Sequence, residues 1–374
     1  MPNSISRRDR PLRRTAALLG ALLATAAHAN DGYAELGIGG IVTPGKTQRV
    51  SMVREVLEVR PDRIRVDYVF ERRGDSALPP IPVLFPLPLY GAELPSATWA
   101  GSPRGFSATV DGRPVPYRAL VKGRQGDCGD VAPARSCTAD VTEALRSAGV
   151  SDEQIAHYPL ASPFFSRPGE RLRVPPLTPK QTRQLLRQGL VVEEGPSEER
   201  PYPAWLADVS YVWEMNFGDR RRIEVSHQYV PFTSGGSNSY YFTEALLRKE
   251  YCADDAQIAA WQRLVSAASP APEAYGPVAG SRVEYILTTA NSWGGPIRDF
   301  TLRLRKAKAS ELVMLCFPGK FRRADPLTLE VHLEDFEPRD ELRVLFLNVD
   351  PAVAGTEGPN GLPPMSRLPA RTER

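Results

Sequence analysis

His227 is the residue best suited to acid–base chemistry, because it is the histidine that lies among aromatic side chains. It shares an alternating row with Val225 and Tyr229, a pattern that predicts a strand and favours a half-buried structural role for the imidazole. No nucleophile stands in a recognisable catalytic motif. His227 is therefore kept as a candidate acid or base, and no catalytic residue is assigned.

The segment 289–296 is the best candidate for a binding loop. Asn291 and Trp293 lie in a glycine-rich stretch, where they could stack on and hydrogen-bond a sugar or a peptide. The alternative is a tight connection between two strands, with Trp293 folded inward and Asn291 bonded to backbone. The composition of the segment, with ordinary turn residues, favours this second interpretation.

Four cysteines are present, and in an oxidising compartment two disulfides are the expected outcome. Of the three possible pairings we predict Cys128–Cys137, which closes a short loop, and Cys252–Cys316, which ties distant segments. A zinc site would need closely spaced cysteine pairs or histidine-rich spacing, and the sequence has neither. No metal or cofactor is predicted.

The first 29 residues predict a secretory signal peptide. Arginines such as Arg7 and Arg8 precede the apolar run 16–27, which ends in the small-x-small pattern Ala27-His28-Ala29. No later apolar run approaches the roughly 20 residues needed to span a bilayer. We expect a periplasmic or secreted protein without a transmembrane anchor after cleavage; general secretory and twin-arginine export both stay open, with the former favoured.

The net charge of the chain does not point to an anionic partner. The formal net charge of the 374-residue chain is +3, but residues 1–29 carry five arginines and one aspartate. The remaining protein is therefore nearly neutral, at about −1. The sequence gives no support for binding to nucleic acid or to an anionic membrane surface.

The elements that must position these residues are mostly strands. Residues 30–125 alternate with period two and predict an N-terminal β-sandwich-like unit, including strands over 50–59 and 64–70 and a hairpin that joins 106–110 to 115–121 around Asp111-Gly112. Residues 126–200 contain the Cys128 loop and predicted helices over 141–147 and 178–188, the second with Thr178 as N-cap.

Residues 201–350 predict a C-terminal β-rich unit with one helix, which Asp254 or Asp255 caps and which ends near Ala268. The rows 205–215 and 223–229 predict a second hairpin in this unit. The tail 351–374 is predicted to be disordered. The expected fold class is mainly β, with two sandwich-like units and a small helical segment between them; in the alternative, the late strands complete the first sheet.

A group of motifs resembles the bacterial domain-of-unknown-function 4424 family. They occur in the order seen in that family and span nearly the whole chain after the leader: Asn30–Leu36, Val50–Val59, Ile64–Phe70, Phe85–Pro88, Trp213–Phe217, His227–Pro231, Tyr251-Cys252, Tyr285–Thr289 and Gly295–Phe300. The resemblance implies an exported bacterial protein and carries no established activity. The strand into Phe85–Pro88 and the Asp111-Gly112 hairpin are also similar to the β-sandwich of vault and inter-alpha-trypsin-inhibitor type domains, which implies architecture alone.

Two classes of function follow as hypotheses. The first is a non-catalytic envelope module that binds a protein or a glycan, or that serves as an accessory factor of an envelope system. The second is a hydrolase of envelope polymers that uses His227 with a nearby carboxylate. An enzyme requires His227 exposed in a concave pocket beside Asp or Glu, whereas a binding module requires a packed His227 and exposed aromatic residues on loops. The sequence leaves the oligomeric state open.

Overall fold

The structure is a computed structural model that describes residues 31–36, 42–91, 106–126, 138–158, 176–192, 202–231, 233–237, 242–268 and 278–348. The predicted leader 1–29, the predicted Cys128–Cys137 bridge and the predicted tail 351–374 lie outside these residues. The described part is mainly β, as predicted.

The strands follow one another along the whole described chain. They are β1 (Gly32–Leu36), β2 (Val42–Pro44), β3 (Val50–Val59), β4 (Ile64–Arg72), β5 (Ile81–Pro86), β6 (Ser107–Val110), β7 (Arg113–Pro114), β8 (Arg118–Gln125), β9 (Ala139–Asp140), β10 (Val191–Val192), β11 (Tyr202–Pro203), β12 (Leu206–Met215), β13 (Arg222–Tyr229), β14 (Thr233–Ser237), β15 (Ala279–Tyr285), β16 (Ile297–Arg305), β17 (Leu312–Met314), β18 (Arg322–Asp325), β19 (Thr328–Phe336) and β20 (Leu342–Asn348).

The strands pair into sheets of eight, six, four and two within the described ranges. The eight-stranded sheet has the order β18-β19-β16-β3-β4-β13-β6-β7, and the six-stranded sheet has the order β2-β1-β5-β12-β8-β9. The four-stranded sheet has the order β14-β15-β20-β17, and β10 pairs with β11. The pairing of β3 with β16 is parallel, whereas β3 pairs with β4 in the antiparallel sense.

Four of the five helices in the described residues begin after a capping side chain, and the one that follows Val141 does not. They are α1 (Thr142–Ser147), α2 (Asp152–His157), α3 (Pro179–Arg187), α4 (Glu244–Tyr251) and α5 (Asp255–Ala268). The Thr178 cap of α3 is confirmed, because the Thr178 side chain accepts a hydrogen bond from the Gln181 backbone N–H. Asp254 caps α5 in the same way, by accepting from the Gln257 N–H. The sequence analysis missed α2 and α4.

The eight-stranded and six-stranded sheets face each other across one hydrophobic core. Inward rows from β4 and β13, which include Phe70 and Val225, meet inward rows from β5 and β12, which include Phe85 and Trp213. The four-stranded sheet packs one face on this core, whereas Leu345 and Leu347 on its other face pack against α4 and α5. Helices α1 and α2 pack against β8.

The two predicted hairpins require correction. Asp111 and Gly112 both have positive φ and do form a tight turn, but only Arg113–Pro114 pairs back onto β6. Pro114 and Pro116 lack backbone donors, which ends the pairing, and β8 then starts in the other sheet.

The predicted hairpin of 205–215 with 223–229 is wrong. Strand β12 pairs with β5 and β8, and β13 pairs with β4 and β6. The two apolar rows bury each other face to face, with the Trp213 and His227 rings 6.1 Å apart, which they could not do side by side in one sheet.

The predicted unit boundaries at residues 125 and 201 do not coincide with boundaries between sheets. Strands β3 and β4 from the predicted N-terminal unit share the eight-stranded sheet with β13, β16 and β19 from the predicted C-terminal unit. The late strands therefore complete a sheet that the early strands begin, as in the alternative arrangement stated above.

Candidate functional site

The predicted acid–base residue His227 lies in the core beside a carboxylate. The alternation of β13 turns His227 inward, and its Nδ1 lies 3.3 Å from Oδ1 of Asp31, at the start of the six-stranded sheet's β1. Both side chains are wholly buried. Among the described residues, neither ring nitrogen of His227 forms a hydrogen bond of good geometry. The contact is therefore a buried pair that joins the two sheets.

Aromatic rings surround this pair. The ring of Phe85 lies 4.4 Å from the His227 ring, and the rings of Tyr68 and Phe106 each lie 5.6 Å away. Burial raises the pKa of Asp31, because a carboxylate loses its hydration there, and the charge of His227 opposes this shift. The pair has the composition of an acid–base dyad but no exposed surface through which a substrate could reach it.

More titratable groups lie close to the pair. The hydroxyls of Tyr68 and Tyr285 are 3.1 Å apart, and Glu55 is fully buried on the strand next to Tyr68. Burial raises the pKa of both tyrosines well above the usual value, and the charges of Asp31 and Glu55 act in the same direction. The core thus contains a polar cluster, of which the sequence analysis found His227 alone.

The loop that contains Asn291 and Trp293 holds the beginning of β1. The Trp293 indole N–H donates to the backbone oxygen of Asp31 at 2.5 Å, and the Tyr33 backbone N–H donates to Ser292 Oγ at 2.8 Å. Trp293 is 2% exposed, and the Asn291 amide donates to the Pro338 carbonyl at 2.8 Å. This is the inward arrangement that the turn composition favours; a binding role for Asn291 and Trp293 stays a prediction.

A cavity of about 400 Å³ lies between helix α2 and strands β8 and β12. Its walls combine two aromatic residues, Tyr117 and Tyr211, with the carboxylates of Asp152 and Glu153 and the small aliphatic Ala119. The sequence analysis did not find this site, since its side chains come from three elements. The order of polar and apolar residues in each element showed only which face is buried.

The two tyrosines of the cavity differ in their surroundings. Tyr117 is 40% exposed and donates its hydroxyl to the Phe106 carbonyl at 2.8 Å. Tyr211 is 2% exposed, and its buried hydroxyl has no hydrogen-bond partner among the described residues. Their rings meet edge to face with centroids 5.2 Å apart. The cavity therefore has one accessible aromatic ring and one buried hydroxyl that the fold leaves unsatisfied.

Phe106 separates the cavity from the buried pair. Its ring stacks on Tyr211 with centroids 4.3 Å apart and lies 5.6 Å from the ring of His227. A molecule in the cavity would therefore contact the tyrosines and His157, which also lines the cavity, but not the imidazole of His227.

The parts of the chain that the structure describes contain no group of three or more histidine, cysteine, aspartate or glutamate side chains placed to hold a metal ion. None of the helices in them combines the length and the apolar character needed to cross a lipid bilayer.

The predicted Cys252–Cys316 disulfide is confirmed. It joins the end of α4 to the segment after β17, over a sequence separation of 64 residues. Cys252 itself adopts a left-handed conformation with φ of 51°, which ends the helix.

These features define a mainly β protein whose sheets interlock around a buried polar cluster, with a helix-covered cavity at one side. The chain belongs to the family of the domain of unknown function DUF4424, whose sequence profile matches residues 29–345. The predicted family membership is confirmed, whereas the likeness to vault and inter-alpha-trypsin-inhibitor type domains stays a prediction.

Comparison with other proteins adds little beyond the family. No curated protein matches the chain. Among solved structures, the chain is similar to a proposed nutrient-binding protein from Legionella pneumophila at 12% identity, with 85% of this chain and 71% of that chain covered and a TM-score of 0.37.

Proposed function

We propose that the protein is an exported, non-catalytic binding or accessory module of the cell envelope, and that the cavity beside α2 binds a glycan. One observation carries the proposal: the cavity brings the accessible ring of Tyr117 together with the carboxylates of Asp152 and Glu153. Its volume of about 400 Å³ lies within the range of small-molecule sites and suits one or two sugar rings better than the flat surface of a protein.

The chemistry of the lining supports a sugar. A pyranose ring presents an apolar face of C–H groups, which an exposed aromatic ring can cover, and hydroxyl groups at its edge. Asp152 and Glu153 lie on the cavity wall and can accept hydrogen bonds from such hydroxyls.

The hydrolase alternative has less support. It requires His227 and a carboxylate to reach a polymer, and the imidazole and its neighbour Asp31 are both wholly buried. The carboxylate that the hypothesis requires is present, so the alternative would become the better one if the ring of Phe106 moved aside in solution. In that event, substitution of His227 would abolish turnover and leave the fold intact.

The compartment is part of the proposal. The Cys252–Cys316 bridge suits a periplasmic or secreted protein, since stable disulfides form in oxidising compartments. The predicted leader 1–29 points the same way. Neither nucleic acid nor an anionic membrane surface is proposed as a partner for this cavity, because carboxylates line it.

Calorimetric titration with soluble glycans tests the proposal. The probes are peptidoglycan disaccharides and short glucan oligomers, added to the native protein and to the variants Tyr117→Ala and Tyr211→Phe. We expect saturable binding of at least one probe, weakened about tenfold or more by Tyr117→Ala. Tyr229→Phe is the matched control, because Tyr229 is a core tyrosine on β13 that does not line the cavity. Binding of no probe, or equal binding to the native protein and Tyr117→Ala, would contradict the proposal.

A further inference from the structure

A second concave surface lies on the outer face of the eight-stranded sheet, the face that is turned away from the core. It is a groove of about 580 Å³ that crosses the strands from β16 to the turn between β6 and β7. Arg54, Arg222 and Arg298 line it, together with Val53 and Val69. Its composition differs from that of the cavity beside α2, and the argument below does not depend on the proposed function.

Two of these arginines form no hydrogen bond within the described ranges. Arg222 donates to Glu71 at 2.6 Å, and this hydrogen bond lowers the pKa of the Glu71 carboxyl. In contrast, Arg54 and Arg298 form no hydrogen bond or ion pair with any residue in the described ranges. The charge of Arg298 also lowers the pKa of Glu71, but that carboxylate already forms ion pairs with Arg221 and Arg222. Positive charge is therefore in excess at this end of the groove, and a bound anion would be stabilised there.

The backbone places these two side chains on the outer face of two neighbouring strands. The register of β3 shifts between Met52 and Arg54, which marks a β-bulge at Val53. As a result Val53 and Arg54 both leave the core, whereas Met52 before them and Glu55 after them are buried. Arg298 belongs to β16, the parallel neighbour of β3.

The acidic residues of the groove lie at its other end. Glu224 is on β13, and Asp111 is in the turn that follows β6, where it already forms an ion pair with Arg220. Strands β3 and β4 stand between β16 and β13. An anion is therefore favoured at the end of the groove that Arg54 and Arg298 line. A neutral or cationic remainder of the ligand would lie toward Glu224.

We propose that this groove binds the phosphate group of an organic phosphate ester, through Arg54 and Arg298. The planar guanidinium forks match phosphate oxygens in pairs, which makes arginine the preferred side chain for this anion. The groove is larger than a bare ion requires, and Val53 and Val69 offer an apolar floor to the rest of the ester. The same group occurs on free phosphate esters and on phospholipid headgroups.

Binding measurements on the purified protein test the proposal and separate these two sources. Inorganic phosphate and glycerol 1-phosphate are titrated calorimetrically, and vesicles of phosphatidylcholine with and without phosphatidylglycerol are used in flotation. The test variant is Arg54→Gln/Arg298→Gln. The control is Arg305→Gln, which removes an equally exposed charge from β16 outside the groove. Melting temperatures of both variants establish that the fold is kept.

We expect the double variant to bind about tenfold or more weakly than the native protein, and Arg305→Gln to bind as the native protein does. Saturable binding of glycerol 1-phosphate identifies a soluble ester as the ligand type. Flotation with phosphatidylglycerol vesicles alone identifies a lipid headgroup. The proposal is overturned if the native protein binds none of these probes, or if the double variant binds them as well as the native protein or Arg305→Gln does.

Discussion

The Asp31 carboxylate and the His227 imidazole meet in the core, where neither can be hydrated. Two isolated ionisable groups would each oppose such burial, and together they offset part of this cost. The carbonyl of Asp31 is held separately by the Trp293 indole. At the scale of the residue, the pair is therefore best understood as a contact that selects where the first strand docks.

Removal of His227 should destabilise the protein strongly, because it leaves the Asp31 carboxylate buried without its partner. We expect His227→Ala to lower the free energy of unfolding by about 3–5 kcal/mol in urea titrations at neutral pH. His332→Ala is the matched control: His332 lies 3.4 Å from Asp299, but both side chains are about half exposed. Its loss should cost less than about 1 kcal/mol. Similar losses for the two variants would contradict a structural role for the buried pair.

The pH dependence of stability should carry the signature of Asp31. Its folded-state pKa is raised above the ordinary 3.8, so its contribution to stability is complete below that pH and is lost as pH rises through the raised pKa. The stability of Asp31→Asn relative to the native protein should therefore increase as pH climbs above 3.8. Urea titrations across the acidic range measure this difference.

Asp67→Asn provides a control of opposite sign. Burial alone would raise the pKa of Asp67, but hydrogen bonds from Arg65 and Ser226 lower it below 3.8. The stability that Asp67 contributes is present above 3.8 and is lost as pH falls through its lowered pKa, so Asp67→Asn should become relatively more stable toward the acidic end. A relative stability of Asp31→Asn that stays flat or decreases with rising pH would refute the burial argument.

At the scale of the element, period-two alternation predicted strands well and predicted their partners poorly. The inward rows of β3, β4 and β13 were all visible in the sequence, as was the Thr178 cap of α3. The same alternation cannot show whether β13 lies beside β12 or opposite it, since both arrangements bury the same residues. Helix α2 was missed although α1, which is equally short, was predicted. The available signal for α2 was the capping box of Ser151 with Gln154.

The disulfide should stabilise the α4 region more than any single contact there. Closure of a 64-residue separation removes conformational entropy from the unfolded chain, worth about 4 kcal/mol on the loop-entropy argument. We expect Cys252→Ala/Cys316→Ala to show a loss of that size in urea unfolding. Substitution of Cys128 should cost less, because its predicted bridge to Cys137 closes a much shorter loop. Equal losses would count against the entropic explanation.

At the scale of the whole molecule, both candidate binding surfaces depend on residues that the sequence separates widely. Tyr117 directly precedes β8, whereas Tyr211 belongs to β12. Arg54 belongs to β3 and Arg298 to β16, more than 200 residues later. His227 could be recognised from its neighbours, but Asp31 could not, because a carboxylate beside a predicted cleavage site looks solvated. Strand pairing within a sheet brings the tyrosines together and likewise the arginines, whereas packing of one sheet on another brings Asp31 to His227. A single sequence specifies neither.

The leader should be absent from the finished protein. We expect the exported form to begin at Asn30, with every cysteine oxidised, in N-terminal sequencing and in mass measurement after alkylation. The reason is the small-x-small pattern before Asn30 together with the disulfide. Recovery of the protein from the cytosol with its first residues intact and with free thiols would refute this expectation.

The parallel contact between β3 and β16 has a consequence for how the chain is made. One edge of β3 pairs with β4, which follows it directly, but its other edge stays unpaired until residues near 300 are available. Contacts this distant slow folding and leave β3 as an open edge in the meantime. A chain interrupted before residue 300 is synthesised should therefore expose one edge of β3 to proteases and to pairing with other chains.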